Sequence, residues 1–564
     1  MTWMGGIRTR AHIPEAELRN KLDLMMKAAY PASGGPAANP SRCTSCSVDA
    51  EHGKALMAVS LPLDGTPSHQ VYTDSEAKLA LSYDGYFYDS ESIQYKATRV
   101  RHRGNGAVAD SLLALLAELP GEVPEKVSQA LSALDGDYAL AVSDADQTVV
   151  CRNTLGTRPL YFAENQSLSA FASNKKPLWK MGFDEVRSLR AATLATLDSQ
   201  GVTTRQTPHS DGAPATILEM PAAVAEYERA LCSAIHKRLA GTNQLRRVGV
   251  LLSGGVDSCL IAKLIHDIAP GMGLDVVAYT VGLPDSPDVA WARRFAEYLG
   301  IRHKMAMLSV ERIEQYIPEV IEAVEDSDFV QIETGIGIYA AVDMASKDGA
   351  RILFSGQGPD EQWGGYSWYP RVLGKDGRQQ LCRRMWEDFT MADIETLDRE
   401  NKIAMAHDVE LLFPYLDSLV VSVARSVTSE LKVTSEDDHL GKHPHRQLAI
   451  KVGVPEQYSN RAKLAIQHGT GIHGVLDRIA RNRGFDPGLV KSIGYKNEDI
   501  TAVKMGSSSR YGYRYGDRKL WQVPQHVQLF LHAMAYQRGL LDRPVRDRIG
   551  HFLNKAAVSS PVQA

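Results

Sequence analysis

Cysteine is scarce. Six residues in 564, at positions 43, 46, 151, 232, 259 and 382, are too few and too scattered for a disulfide framework. Only Cys43 and Cys46 form a close pair. A structural zinc site calls for a second such pair, so two ordinary thiols is the preferred reading. Long apolar runs are missing as well. No stretch of about eighteen apolar residues occurs, and residues 1–10 lack the apolar core of a secretion signal. A cytoplasmic protein with no membrane partner is expected. Nor is there an excess of one charge: Lys plus Arg total 63 against 67 Asp plus Glu, a formal net charge of -4. No global field draws the chain to nucleic acid, which would need a local basic patch. Internal repeats are absent.

What is present is the balance of a folded globular chain, with 44% hydrophobic and 23% charged residues. At about 150 residues per domain, the length suits three to four domain-sized units or two large ones. Residues 15–30 read as a helix and 30–42 as a loop. Short alternating strands follow at 55–60, 79–83, 138–143, 148–152, 160–162 and 168–172, with a helix near 108–119. Polar and turn-forming residues at 199–216 mark a boundary, which divides the chain into domains at 1–205 and 216–564. Beyond it the texture changes. Helices at 220–239, 258–268 and 290–299 alternate with strands at 247–252, 275–281 and 350–354, and helical patterns dominate from 371. The expected class is α/β, with a doubly wound parallel sheet in the second domain.

The sharpest signal is Val248-Gly-Val-Leu-Leu-Ser-Gly-Gly-Val-Asp-Ser258, an apolar strand running into Ser-Gly-Gly and straight into a helix. Glycines there let backbone N–H groups converge on an anion at a helix N-terminus. The segment lacks the Gly-Lys-Ser/Thr ending of a Walker A loop and the spacing of a dinucleotide fingerprint. It reads as a pyrophosphate-gripping loop. Ser253, Gly254, Gly255 and Ser258 would donate to phosphates, and Asp257 could hold Mg²⁺ bridging them.

This loop resembles the SGGxDS motif of the asparagine synthetase group of ATP pyrophosphatases. Further segments are similar in the same order. Val281-Gly-Leu-Pro-Asp-Ser-Pro-Asp288 looks like the lining of the adenine and ribose pocket. Ser355-Gly-Gln-Gly-Pro-Asp-Glu-Gln-Trp-Gly-Gly-Tyr366 resembles SGEGxDExFGGY, and Arg399-Glu-Asn-Lys402 resembles RxNK. The stretch 409–417 resembles VEARxPFLD, and Lys442-His-Pro-His-Arg446 with Arg461-Ala-Lys463 resembles the late lysine motifs. The resemblance implies an enzyme using ATP and Mg²⁺ to join a small carboxylate to ammonia or an amine. Leu251, Ser253, Gly254, Gly255, Asp257, Ser258, Val281, Ser355 and Gly356 would bind ATP and pyrophosphate, and Asp257 with Asp360 the metal. Lys463 would be the catalytic cation, with Lys442 or Arg446 next in sequence. Glu410 would orient that lysine or the amine, or else form a structural ion pair. Gln357 stands where typical asparagine synthetases have glutamate; it can hydrogen-bond but cannot remove a proton. Leu412 replaces the arginine of VEAR.

The first domain resembles class II glutamine amidotransferase domains, which implies an Ntn-hydrolase-like αββα sandwich. Residues 136–140, 152–161 and 170–176 are similar to GDYAF, RDxxGxRPLYY and FASExK. The chemistry is what departs. Met4-Gly-Gly-Ile7 lies where MCGI belongs, so Gly5 replaces the nucleophilic cysteine. No RGPD arginine appears in 32–36, and 83–88 reads Tyr-Asp-Gly-Tyr-Phe-Tyr where FNGEIY belongs; Asp110 survives. A domain without glutaminase activity is expected. The rival is Cys43 as a nucleophile exposed by proteolysis. β-Lactam synthetase also keeps this domain without its cysteine, so intramolecular lactam formation is the alternative reaction, and a non-catalytic scaffold the alternative class. A homodimer is the candidate assembly. Residues 509–518 interleave Tyr and Arg, and 526–541 reads as an amphipathic helix.

Overall fold

The computed structural model describes residues 2–29, 43–60, 71–76, 78–88, 108–131, 134–207, 216–240, 245–462, 466–501, 514–515, 518–519 and 523–559. Between Thr2 and Gln206 it shows two six-stranded antiparallel sheets packed face to face. In the first, Thr2–Thr9 is a central strand between Lys54–Ser60 and Leu168–Ala172. Alternation along it decides both faces. Trp3 and Ile7 point outward to a helix, Glu15–Ala29, which buries Leu18, Leu22 and Met25 against them. Met4 points inward to Leu56, Ala139, Val150 and Phe171, the layer between the sheets. Helices Val108–Glu118 and Val123–Leu131 cover the second sheet through Leu112, Leu116 and Val127. The result is an αββα sandwich.

The second sheet system is parallel, in the order Arg302–Met307, Asp275–Gly282, Arg247–Leu251, Ile352–Phe354, Glu410–Leu412. Both faces are covered by helices, so its central strands are apolar throughout, with Val248, Val250 and Leu353 fully buried. From Arg247–Leu251 the chain builds outward one way, then returns to build the other way from Ile352–Phe354. This places a topological switch point between those two strands, and in open α/β sheets the crevice for ligands opens beyond the carboxyl ends at such a point. Among the described residues no helix is long and apolar enough to cross a membrane.

Buried charges join the two parts. Arg152 donates to Asp398 at 2.8 Å, and the Tyr161 hydroxyl donates to the same carboxylate at 2.8 Å. Arg158 pairs with Glu410 at 2.5 Å. Arg238 bridges Asp137 of the sandwich at 3.0 Å and Asp417 at 2.7 Å. A single π-helical turn, Asp393–Leu397, interrupts the helical run ahead of Asp398–Ala406 and turns Asp393 toward Arg190.

Candidate active site

At the switch point, strand Arg247–Leu251 ends and helix Val256–Ile268 begins, with Ser253-Gly-Gly between them. The turn is held by its own side chains. Ser258 Oγ accepts from Ser253 N at 3.1 Å and donates to Gly255 O at 3.1 Å. Gly254 has φ +74, and a Cβ there would sit 2.5 Å from Trp291 Cβ. Glycine is required on both counts. Ser355 and Gly356, which follow strand Ile352–Phe354, lie alongside this turn: a Cβ on Gly356 would be 3.2 Å from Ser258 N. Leu251 and Val281 are at the carboxyl ends of two neighbouring strands. The nine residues expected to bind nucleotide thus sit around one crevice.

Asp257 and Asp360 converge on one point. Lys442 Nζ lies 2.8 Å from both Asp257 carboxylate oxygens and 2.7 Å from Asp360 Oδ1, and it is 1% exposed. His445 Nε2 reaches Asp257 Oδ1 at 3.0 Å and shares its other nitrogen with the Tyr227 hydroxyl at 2.8 Å. Burial lowers the His445 pKa, which favours the neutral ring. Two carboxylates that meet at one point suit magnesium, which takes one or two carboxylates and completes its shell with phosphate oxygens and water. Arg446 is not part of this cluster. It donates to the carbonyls of Gly441, Ser459 and Leu440 and holds the local chain.

Gln357 Nε2 donates to Glu400 Oε1 at 2.6 Å, and Ser355 Oγ donates to Glu400 Oε2 at 3.1 Å. Glu400 is 1% exposed. Burial pushes its carboxyl up to about 7, against the opposing pull of Arg399. Sequence reasoning passed over it, although it is the variable position of the Arg399–Lys402 motif; the contact spans forty-three residues and no local pattern announces it. Arg461 was named only as part of the Arg461-Ala-Lys463 motif, with no role of its own. It donates to Ser253 O at 3.2 Å and pairs with Asp288 at 2.7 Å, tying the loop to the 281–288 segment. Glu410, expected to orient a lysine or the amine, faces Arg158 of the sandwich in the interdomain pair described above. Lys463 lies outside the described residues.

In the sandwich, Gly5 sits in mid-strand, paired with Met57 on one side and Ala172 on the other. A Cβ on it would lie 2.6 Å from Trp3 Cη2 and 3.2 Å from Met25 Cε. The Trp3 indole fills the space that a side chain at position 5 would need. Nearby, Ser173 donates to Asp84, and Tyr88 donates to Asp137 at 2.7 Å. Asp110 stands exposed in the first turn of its helix. Gly5→Cys should therefore cost about 1–3 kcal/mol of stability through overpacking and release no glutamate from glutamine. Melting curves and a glutamate assay check both, and measurable glutaminase in this variant would contradict the steric account.

Fold and site define a two-part α/β protein in which an αββα sandwich is joined to a parallel-sheet domain with a serine- and glycine-rich turn at its switch point. The Asparagine synthase family profile matches residues 226–381 and 374–535, and the Glutamine amidotransferase domain profile matches 58–180. The chain belongs to the asparagine synthase family, whose members are ATP-dependent ligases. It is 30% identical over 412 residues to a putative asparagine synthetase [glutamine-hydrolyzing] 1 of Methanocaldococcus jannaschii, an alignment covering 63% of this chain and 73% of that protein. Asparagine synthetase [glutamine-hydrolyzing] 2 of Oryza sativa is 25% identical over 386 residues, or 66% of this chain and 62% of its own length. The Gallus gallus enzyme is 29% identical over 204 residues, 36% of this chain and 35% of that one.

Proposed function

We propose that the protein is an ATP-dependent carboxylate–amine ligase that forms AMP and pyrophosphate and takes its nitrogen from ammonia or a substrate amine rather than from glutamine. The observation that carries this reading is the convergence of the Ser253–Ser258 turn, the Asp257/Asp360 pair and the Gln357–Glu400 contact on one crevice. A carboxylate oxygen of the substrate attacks the α-phosphorus, the bond to the β-phosphate breaks, and pyrophosphate departs. Ser253, Gly254, Gly255 and Ser258 would grip the departing group with N–H and O–H donors, the Ser253 N–H and Ser258 O–H leaving their bonds within the turn to do so. Magnesium, held by Asp257 and Asp360, would neutralise charge on the phosphates. Lys442 balances the two carboxylates and fixes their spacing.

In the second step the amine nitrogen attacks the acyl carbon, AMP leaves as the anion, and one proton must go elsewhere. Gln357 cannot take it. Glu400 can, with Ser355 and Gln357 holding its carboxyl in place. Lys463 is the cation proposed to stabilise the collapsing tetrahedral intermediate. Residues 1–205 and 216–564 are the proposed domains, the first without glutaminase activity. The Cys43 rival would require loss of the central strand Thr2–Thr9 from its sheet. The test is direct. With ATP, magnesium and a pool of carboxylates including aspartate, purified protein should release AMP and pyrophosphate. Ammonia or an amine should support product, and glutamine should do no better than buffer. Glutamate released in step with AMP would overturn the nitrogen assignment, and absence of AMP with every acid and amine would overturn the ligase.

A further inference from the structure

Many of the deeply buried carboxylates among the described residues have a strong cation beside them. Asp288, Glu325, Asp398, Glu410 and Asp417 each have a lysine or arginine within 3.4 Å. Glu333 is different. It is 2% exposed, and its hydrogen-bond partner among the described residues is the imidazole of His473, with Nδ1 at 2.9 Å. Arg399, on the helix packed alongside, donates instead to Gln331 and to Glu395 O. The His473 side chain is about half exposed, at 52%, and its ring lies tilted against that of His468, with centroids 4.4 Å apart. A buried acid is therefore covered from the solvent side by a histidine pair.

Its location is settled by the two ends of its helix, Phe329–Lys347. Just past the last turn, Asp348 binds Arg247 and the Tyr279 hydroxyl, and Arg247 starts a strand of the parallel sheet. Glu333 lies in the helix's first two turns, at the opposite edge. There His473 follows a segment that grips the end of the neighbouring strand: Thr470 O accepts from Leu283 N at 2.9 Å, and Gly469 O accepts from Ser286 Oγ at 2.8 Å. Asp288, against which Gly469 packs, is bound by the same Arg461 that touches Ser253 O. The acid and its histidines thus sit on the carboxyl edge of the sheet, on the wall of the crevice that holds the phosphate-gripping turn.

We propose that Glu333 and His473 form a cation-recognition site in this crevice, which selects an acid substrate carrying an amino or guanidino group. The inference rests on the reading of the crevice as an acid-activating site and adds the charge class of the acid. A buried carboxyl with no lysine or arginine beside it among the described residues is held at a cost that a bound cation offsets. Burial pushes Glu333 up to about 8. At neutral pH the free site is therefore mostly protonated, and an incoming ammonium or guanidinium releases that proton as it forms the ion pair. His473, whose side chain reaches solvent, can swing aside to admit it.

Matched acids separate charge from shape: arginine with citrulline, ornithine with 2-amino-5-hydroxypentanoate, and 2-aminopentanoate with 2-hydroxypentanoate. Calorimetric titration of full-length protein, with magnesium and a non-hydrolysable ATP analogue present, should show at least one cationic member binding about tenfold or more tighter than its isostere. Its heat should vary with buffer, reporting proton release. Glu333→Gln keeps a group that His473 can bond and should reduce the preference to within about threefold, leaving the isostere's affinity and the melting temperature unchanged. Equal binding within every pair, an undiminished preference in E333Q, or no binding by any cationic probe would overturn the site. Pyrophosphate exchange is read separately: binding that depends on Glu333 without exchange counts against the ligase and leaves the cation site standing.

Discussion

Asp257→Asn is expected to leave a folded protein that no longer exchanges pyrophosphate into ATP, its rate lowered by about a hundred- to a thousandfold. The residue heads the helix after the phosphate-gripping turn, and its carboxylate meets Lys442, His445 and, through the lysine, Asp360. An amide of the same shape keeps most of these hydrogen bonds but removes one of the two negative charges that a magnesium–phosphate complex would need. Lys442 remains paired with Asp360, so no buried charge is left alone and the fold survives. Exchange at near-native rate in a folded Asp257→Asn protein would refute the metal assignment.

Glu400→Gln is the second large effect, and it falls on the other half-reaction. Adenylate formation should persist, while amide formation drops by about a hundred- to ten-thousandfold. The pH dependence identifies the cause. With its carboxyl at about 7, Glu400 is protonated and unable to accept a proton below that value, so the wild-type rate of amide formation should climb as pH rises through 7. The variant should lose that rise. Stability runs the opposite way, because burial favours the protonated form: the folded protein binds a proton that the unfolded chain has released, so this contribution to stability is lost as pH rises from the ordinary glutamate range toward 7. Single-turnover assays of adenylate and amide, each against pH, separate the steps. An unchanged amide rate and profile in Glu400→Gln would remove it from the mechanism.

Much of this was legible in the chain and some was not, for reasons that differ by element. The central parallel strands are buried on both faces, so 247–252 and 275–281 announced themselves as apolar runs. Arg302–Met307 did not: it is an edge strand with charged residues on its open side and no apolar run to reveal it. Thr2–Thr9 carries two glycines and drew notice only as a motif, yet it is central to its sheet. Gly254 and Asp257 could be named because a phosphate loop dictates residue types at fixed spacing. The roles of Glu400, Arg461 and Glu333 could not be, because their partners are brought near only by the crossing of distant elements. Residues 30–42, the Cys43 side chain and most of 509–518 lie outside the described residues. The expected helix at 526–541 is present as Gln525–Arg538.

The charges at the border of the sandwich tie it to the rest of the protein. Were residues 1–205 removed, Asp398 and Glu410 would lose Arg152 and Arg158, and Arg238 would lose Asp137. Each stranded group would have to be hydrated or neutralised, and a broken buried pair typically costs about 3–5 kcal/mol, against about 5–15 kcal/mol for a whole folded domain. Two such losses come to about 6–10 kcal/mol, the same order as that whole margin. The sandwich thus serves the parallel-sheet half as a store of counter-charge, so that half expressed alone is expected to fold poorly or not at all.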